Sequence, residues 1–168
     1  MKWLYLAAAI VLVAAAFIFA AGERTWAVLA GPADQGPVNF ATLKLRTSPN
    51  QYLVCPPGKC EARADQPAPL FAAAEQRLRE TLIASWSAMP RTRHVAGSAD
   101  PASGEIRFVQ TSAILQFPDT ISVHTWPAGE NSSTLAIYSR SLVGRSDLGA
   151  NEERVNSWLA ALPLAPTD

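Results

Sequence analysis

Polar side chains that could bind an anion concentrate in one stretch of the chain, residues 138–154, which reads YSRSLVGRSDLGANEER. Arg140 and Arg145 could fork onto a phosphate or carboxylate through their paired N–H donors. Asp147 could orient an arginine, and Asn151 is predicted to cap the helix that follows. The stretch is either an anion-binding loop or an internal polar network that satisfies the backbone of an irregular strand-to-helix connection.

Two further residues, Ser139 and Asp119, are expected near this loop. Glu152 and Glu153 stand in the first turn of the following helix, where their charge would repel an anion. The candidate ligand-binding residues are Arg140, Arg145, Asp147, Asn151, Ser139 and Asp119.

The chain also holds the ingredients of a hydrolytic Ser–His–Asp triad, because its serines are accompanied by His94, His124, Asp119 and Asp147. It contains no Gly-x-Ser-x-Gly elbow, no Ser-x-x-Lys pair and no His-Glu-x-x-His helix. His124 is equally an ordinary strand residue, and Asp119 a residue that starts a strand after a proline. We therefore assign no catalytic residue, and a hydrolase is kept as an alternative.

Cys55 and Cys60 flank a turn-forming run, residues 56–59, which reads PPGK. Their spacing allows a small disulfide ring of the kind found in oxidising compartments. Free thiols and a metal site are the alternatives. A zinc site needs about four ligands, and His94 and His124 lie thirty residues apart. The sequence therefore predicts a disulfide, with no metal and no cofactor.

Residues 3–21 form a run of nineteen residues without a charge or a proline. As a helix the run would be roughly 28 Å long, close to the hydrocarbon thickness of a bilayer. Lys2 precedes the run, which predicts a cytoplasmic N-terminus. The run is a membrane anchor, a cleaved signal peptide with a weak cleavage pattern at residues 20–22, or a buried helix of a cytosolic domain. Under the first two interpretations, the rest of the chain is exported.

Length and charge exclude several classes of function. A chain of 168 residues suits one domain with an appendage. Its 14 Lys and Arg balance its 14 Asp and Glu, which argues against a strongly basic nucleic-acid-binding protein and against an acidic disordered tail. The expected organisation is an anchor or signal peptide at residues 1–22, a linker at 23–50, a globular domain at 51–162 and a loose tail at 163–168.

Hydrophobic periodicity predicts the elements of the globular domain. Apolar residues recur every three or four positions between Pro69 and Pro90, which predicts a helix with one apolar face. Alternation of period two predicts strands around residues 94–96, 106–110, 120–126 and 134–138. A last helix is expected at residues 152–162. The predicted fold class is α+β, an antiparallel sheet of three to four strands with two helices on one face, preceded by a transmembrane or signal helix.

The motif Ser-Arg-Ser-x-x-Gly-x-Ser-Asp-x-Gly-x-Asn within residues 138–154 resembles the signature of a bacterial and plastid family, number fourteen ninety-nine among the domains of unknown function. Residues 49–56 (PNQYLVCP) resemble the opening segment of its proteobacterial members, and residues 117–119 (FPD) resemble its Phe-x-Asp element. The resemblance covers about residues 40–162. It departs at residues 152–153, where many members look more basic. It implies a compact α/β domain, often exported or lipid-tethered, and it supplies no known reaction.

These observations favour a domain of the bacterial cell envelope, either at the inner membrane facing the periplasm or secreted to the periplasm. Its expected role is non-catalytic, namely binding or structural support, with a small-anion binder that uses Arg140 and Arg145 as one alternative. The expected partners are the membrane, through the N-terminal helix, and an envelope protein or a small anion, with no nucleic acid. Trp126 could anchor such a partner or be covered by a helix.

Overall fold

Four α-helices and eight β-strands make up the part of the chain that the computed structural model describes, residues 2–164 and 166–167. The helices are α1 (Lys2–Ala21), α2 (Glu23–Ala30), α3 (Glu75–Ser87) and α4 (Ala150–Ala160). The strands are β1 (Gln51–Cys55), β2 (Gln66–Pro67), β3 (Leu70–Phe71), β4 (Thr92–Ala96), β5 (Ile106–Thr111), β6 (Pro118–Gly129), β7 (Ser132–Ser141) and β8 (Pro166–Thr167). The α+β class is confirmed.

The strands form one mixed sheet in the order β2-β1-β7-β6-β5-β4, and β3 pairs with β7 beyond the end of β1. Among the described strands, β1 and β2 run parallel and the other pairs run antiparallel. The prediction of three to four antiparallel strands is therefore wrong in both size and kind. Of the described strands, four were not predicted. The strands β2, β3 and β8 have two residues each, too few to show an alternating pattern. The strand β1 buries Leu53 on one face of the sheet and Val54 on the other, so it lacks the apolar–polar alternation.

The helices α3 and α4 cover the same face of the sheet and enclose the main hydrophobic core. Trp86 of α3 packs on Trp158 of α4 with their ring centroids 5.2 Å apart. The indole N–H of Trp86 donates to the carbonyl of Trp158 at 3.0 Å, so the buried ring has a partner for its polar atom. Helix α3 begins later than predicted because Leu70 and Phe71 pair as a strand with β7.

Residues 33–45, predicted as part of a linker, cover the opposite face of the sheet. Phe40 and Leu43 pack against Leu53 and Tyr138 in a second apolar cluster. Since β1 and β7 carry apolar side chains on both faces, each face needs a cover that excludes water. The folded domain therefore starts earlier in the chain than the sequence pattern predicts.

The N-terminal segment, predicted as an anchor or signal peptide, forms helix α1, and α2 follows directly after Gly22. Helix α2 lies against the domain: the indole N–H of Trp26 donates to the carbonyl of Leu115 at 2.7 Å, and its ring lies 4.6 Å from that of Phe117. Within the described residues, no helix combines the length and the hydropathy needed to cross a membrane.

The C-terminal residues, 163–168, were expected to form a loose tail. Residues 166–167 pair with β3 as strand β8. Residues 165 and 168 lie outside the described part of the chain.

Candidate functional site

Three sequence segments meet at one end of the sheet: residues 49–56, residues 117–119 and residues 138–154. They are the segments that carry the family resemblance. Their contacts bring together a set of buried polar side chains, called here the signature cluster: Asn50, Asp119, Ser139, Ser141, Asn151 and Arg154. The cluster lies on the helix-covered face of the sheet, at the start of α4.

Arg154 is the centre of the signature cluster. Its Nη1 donates to Ser139 Oγ at 3.0 Å and to Asn151 Oδ1 at 2.7 Å, and its Nε donates to Gln110 Oε1 at 2.6 Å. Its Nη2 donates to Asp119, in an ion pair whose side chains are 9% and 8% exposed. Sequence reasoning did not select Arg154. The available signal was its position three residues after Asn151, on the same side of a helix.

Asn151 is a buried residue inside α4, and its prediction as the N-cap is wrong. The N-cap is Gly149, whose positive φ of 86° favours glycine. The Asn151 Nδ2 donates to the Asn50 carbonyl at 3.2 Å and to Ser141 Oγ at 3.0 Å, while its Oδ1 accepts from Ser139 Oγ at 2.6 Å. The side chain therefore ties the helix start to β7 and to the residue before β1 instead of capping the helix.

Asp147 accepts hydrogen bonds from backbone N–H groups at the start of α4, which is the capping role predicted for Asn151. Its Oδ2 accepts from the backbone N–H of Asn151 at 2.9 Å, and its Oδ1 accepts from that of Gly149 at 3.2 Å. A carboxylate at this position also complements the positive end of the helix dipole. Asp147 was predicted to orient an arginine. Within the described residues its carboxylate instead accepts hydrogen bonds from Gly149 and Asn151.

Arg140 lies on the face opposite the signature cluster, because successive residues of β7 point to alternate faces. The residue is 3% exposed. Its Nη1 donates to Ser122 Oγ at 3.1 Å and its Nη2 to the carbonyl of Gly36 at 2.7 Å, while the guanidinium lies 5.1 Å from the ring centre of Tyr138. Burial lowers the pKa of Arg140 from its usual value. Arg140 thus fastens residues 33–45 to the sheet.

Arg145 is exposed on the loop of residues 142–149. The two arginines of the anion-binding hypothesis therefore do not converge on one point. Of the six predicted ligand-binding residues, the structure brings together the buried side chains of Asp119, Ser139 and Asn151, with Asp147 at the edge of the cluster. Arg140 is separated from them by the sheet.

A second charged group, missed at the sequence level, also holds residues 33–45. Arg107 donates to both carboxylate oxygens of Asp34, at 2.9 and 3.0 Å. These bonds hold the pKa of Asp34 below its usual value and raise the pKa of Arg107. Glu105 beside them accepts from the backbone N–H of Val38 at 2.7 Å, and burial raises the pKa of this carboxyl.

Among the residues considered for a hydrolytic triad, His124 is separated from Ser139 and Asp119 by the sheet. Ser139 and Asp119 lie in the signature cluster, whereas the ring of His124 faces Phe40 on the opposite side. His94 lies on β4. Among the described residues, no group of three or more His, Cys, Asp or Glu side chains is placed to hold a metal ion.

The predicted disulfide between Cys55 and Cys60 is confirmed, with their Cα atoms 6.4 Å apart. The bond closes the turn that follows β1. It places Lys59 with its Nζ 5.6 Å from the ring centre of Trp126, on the same face as Arg140. The disulfide loop therefore borders the face of the sheet that residues 33–45 cover.

Comparisons with known proteins identify one family. The model of the family described as "Protein of unknown function (DUF1499)" matches residues 39–162, about three quarters of the chain. The matched range contains every residue of the signature cluster. No curated protein and no solved structure matched the chain. From the family match over most of its length, the chain belongs to the DUF1499 family of proteins of unknown function.

Proposed function

We propose that this protein is a domain of the bacterial cell envelope, exported or tethered to the membrane by α1, with a non-catalytic role in binding or structural support. The observation that carries the proposal is the attachment of α2 to the domain, directly after the uncharged run of residues 3–21. Such a run favours a lipid environment or an export pathway over water.

The attachment begins at the first residue after α1. A Cβ atom on Gly22 would lie 2.1 Å from Oε1 of Gln116, so the backbone of Gly22 packs tightly on that side chain. Glu23 pairs with Arg93 at 2.5 Å. With the hydrogen bond from Trp26, these contacts hold Gly22 and α2 on the domain. The folded domain therefore begins directly after α1, with no long spacer between them.

Two further observations support the envelope location. Ile114 and Leu115, on the loop that α2 contacts, are 69% and 43% exposed, and apolar side chains beside an uncharged helix suit a lipid surface. The disulfide between Cys55 and Cys60 suits an oxidising compartment.

Fractionation of a bacterial host that expresses the full chain with a C-terminal tag tests the proposal. A tethered protein stays with alkaline-washed membranes at full mass, and a secreted one is found in the periplasm without its N-terminal segment. In both cases a thiol reagent modifies Cys55 and Cys60 only after reduction. Recovery from the cytosol with reactive thiols would contradict the proposal.

A matched pair of variants separates tethering from secretion. Ile10→Arg places a charge in α1, whereas Val28→Arg places the same charge on an exposed position of α2. If α1 is the anchor, Ile10→Arg releases the protein from the membrane fraction and Val28→Arg does not, because a charge is costly only inside the lipid. Equal retention of both variants argues against an anchor.

A further inference from the structure

A groove of 470 Å³ opens on the sheet face opposite α3 and α4. Glu105, His124 and Trp126 lie along its floor. One wall is residues 37–41, and the other is the turn closed by the disulfide, at residues 58–59. The groove thus exists only because the N-terminal part of the domain and the disulfide loop are folded onto this face.

Trp126 gives the groove a flat aromatic surface. Its ring centre lies 4.5 Å from that of His124 and 6.4 Å from that of Phe40, in an edge-on contact. Phe40 is buried, so these neighbours hold the indole in one orientation. The ring is partly exposed, and the Lys59 ammonium over its face is the group that a ligand would displace.

Glu105 presents a buried carboxylate that is only partly paired. Its side chain is 8% exposed, and its Oε2 accepts from the N–H of Val38. Its Oε1 is buried and accepts no hydrogen bond from the described residues. The closest ion pair, with Arg107 Nη1 at 3.6 Å, is too long for a hydrogen bond. The Ser122 hydroxyl also hydrogen-bonds to this carboxyl, which works against the rise in its pKa. A buried carboxylate with few donors is unfavourable, and a hydroxyl group of a ligand would supply another donor.

The charges around the groove favour an uncharged ligand. Lys59 and Arg107 lie close enough to repel a cation, and the carboxyl of Glu105 repels an anion. Burial lowers the pKa of His124, which keeps its imidazole neutral around pH 7. Neither ring nitrogen of His124 bonds to the described residues, so the ring offers a ligand one donor and one acceptor.

We propose that this groove binds a sugar residue of a glycan. The C–H face of a pyranose ring stacks on Trp126, whose ring face is electron-rich, and takes the place of the Lys59 ammonium. One sugar hydroxyl donates to the carboxylate of Glu105, and another hydroxyl bonds to His124. The proposal goes beyond the envelope role and does not depend on whether α1 is an anchor or is removed.

Saturation-transfer NMR on the purified full chain in detergent tests the groove, with tri-N-acetylchitotriose, maltotriose and cellotriose as probes. We expect transfer to the ring protons of at least one trisaccharide. Trp126→Ala and Glu105→Gln should each weaken its binding by about tenfold or more, as for the loss of a central contact. The matched controls Trp3→Ala and Glu130→Gln, at positions outside the groove, should leave binding unchanged.

Lys59→Ala provides a variant whose folding is not at risk, because Lys59 is exposed. Removing this side chain frees the face of Trp126 and should strengthen sugar binding by a few-fold. The proposal is overturned if no trisaccharide receives saturation, if Lys59→Ala weakens the binding, or if Trp126→Ala leaves it intact. Transfer to choline phosphate in place of the sugars would likewise overturn it, since that result indicates a site for a cation.

Discussion

Arg154 of α4 and Asp119 of β6 form a buried ion pair that joins the last helix of the domain to its sheet. Asp119 stands next to the first residue of β6 and is paired in register with Ser141, the last residue of β7. The ion pair therefore fixes the two ends of the loop of residues 142–149 relative to each other.

Loss of this ion pair should destabilise the domain strongly. Arg154→Ala leaves the carboxylate of Asp119 buried without its cation, so we expect the free energy of unfolding to fall by about 3–5 kcal/mol. Chemical denaturation of the full chain measures the change. The double variant Asp119→Leu with Arg154→Met should lose less than Arg154→Ala, because it leaves no charge behind. A loss below about 1 kcal/mol in Arg154→Ala, as for an exposed pair, would contradict the buried role.

Substitution of Arg140 and of Arg145 should change the stability of the domain by very different amounts, although both residues lie in the same sequence motif. Arg140→Ala removes charged donors from Ser122 and from the carbonyl of Gly36, which should cost about 2–3 kcal/mol. Arg145→Ala, at an exposed position, should change stability by less than about 0.5 kcal/mol. Thermal unfolding with and without inorganic phosphate checks both points. Stabilisation by phosphate that either variant abolishes would restore the hypothesis of an anion site.

Asp34 should make the domain sensitive to acid. Arg107 lowers the pKa of this carboxyl in the folded state below its ordinary value of 3.8. The unfolded chain then binds the proton more readily, so the stabilisation is complete above the ordinary pKa and is lost as the pH falls through the folded pKa. Asp34→Asn should therefore flatten the acid side of a plot of melting temperature against pH. Curves that stay parallel would show that Asp34 contributes nothing in acid.

Glu105 should give stability the opposite dependence on pH, so that its ionisation lowers stability as the pH rises. Burial raises its pKa above the ordinary value of 4.5. Between that value and the higher folded pKa the folded chain binds more protons, so stability falls as the pH rises through this window. Glu105→Gln removes the ionisation. The melting temperature of this variant should rise relative to that of the wild type between mildly acidic and neutral pH. A difference in melting temperature that is independent of pH would refute the prediction.

Removal of the disulfide should lower the free energy of unfolding by a moderate amount. The bond between Cys55 and Cys60 closes a short loop, for which the loss of chain entropy in the unfolded state contributes about 2 kcal/mol. A variant with both residues changed to Ser should lose this amount in chemical denaturation. Reductant should shift the wild type towards the variant and leave the variant itself unchanged. Equal unfolding of the two proteins without reductant would mean that the bond does not form.

Several features of the fold could be predicted because they depend on neighbouring residues. The apolar period of α3, the alternation in β5, β6 and β7, and the spacing of Cys55 and Cys60 are visible within a few residues of sequence. Asp119 and Ser139 were expected near the loop that carries Asn151. Short elements escaped prediction because two residues cannot show a period, and the two-residue strands β2 and β3 are examples.

Partners at long sequence separation could not be read from the chain. Arg140 bonds to Gly36, 104 residues away, and Arg107 bonds to Asp34, 73 residues away, so neither pair follows from a local pattern. The same holds for the groove, whose walls come from residues 37–41 and 58–59 and whose floor comes from β6 and the residue before β5.

The sequence by itself determined the class of the fold, the positions of β4, β5, β6 and β7 and of its two packed helices, the disulfide and the family. These follow from residue type and spacing, which local backbone geometry turns into helices, strands and turns. Only the tertiary structure decided that Ser139 and Arg140 serve opposite faces, that the expected linker covers the sheet, and that Arg154 completes the signature cluster. The reason is that a side chain's partner depends on which distant strand or loop packs beside it, and burial then requires every polar group there to find a partner.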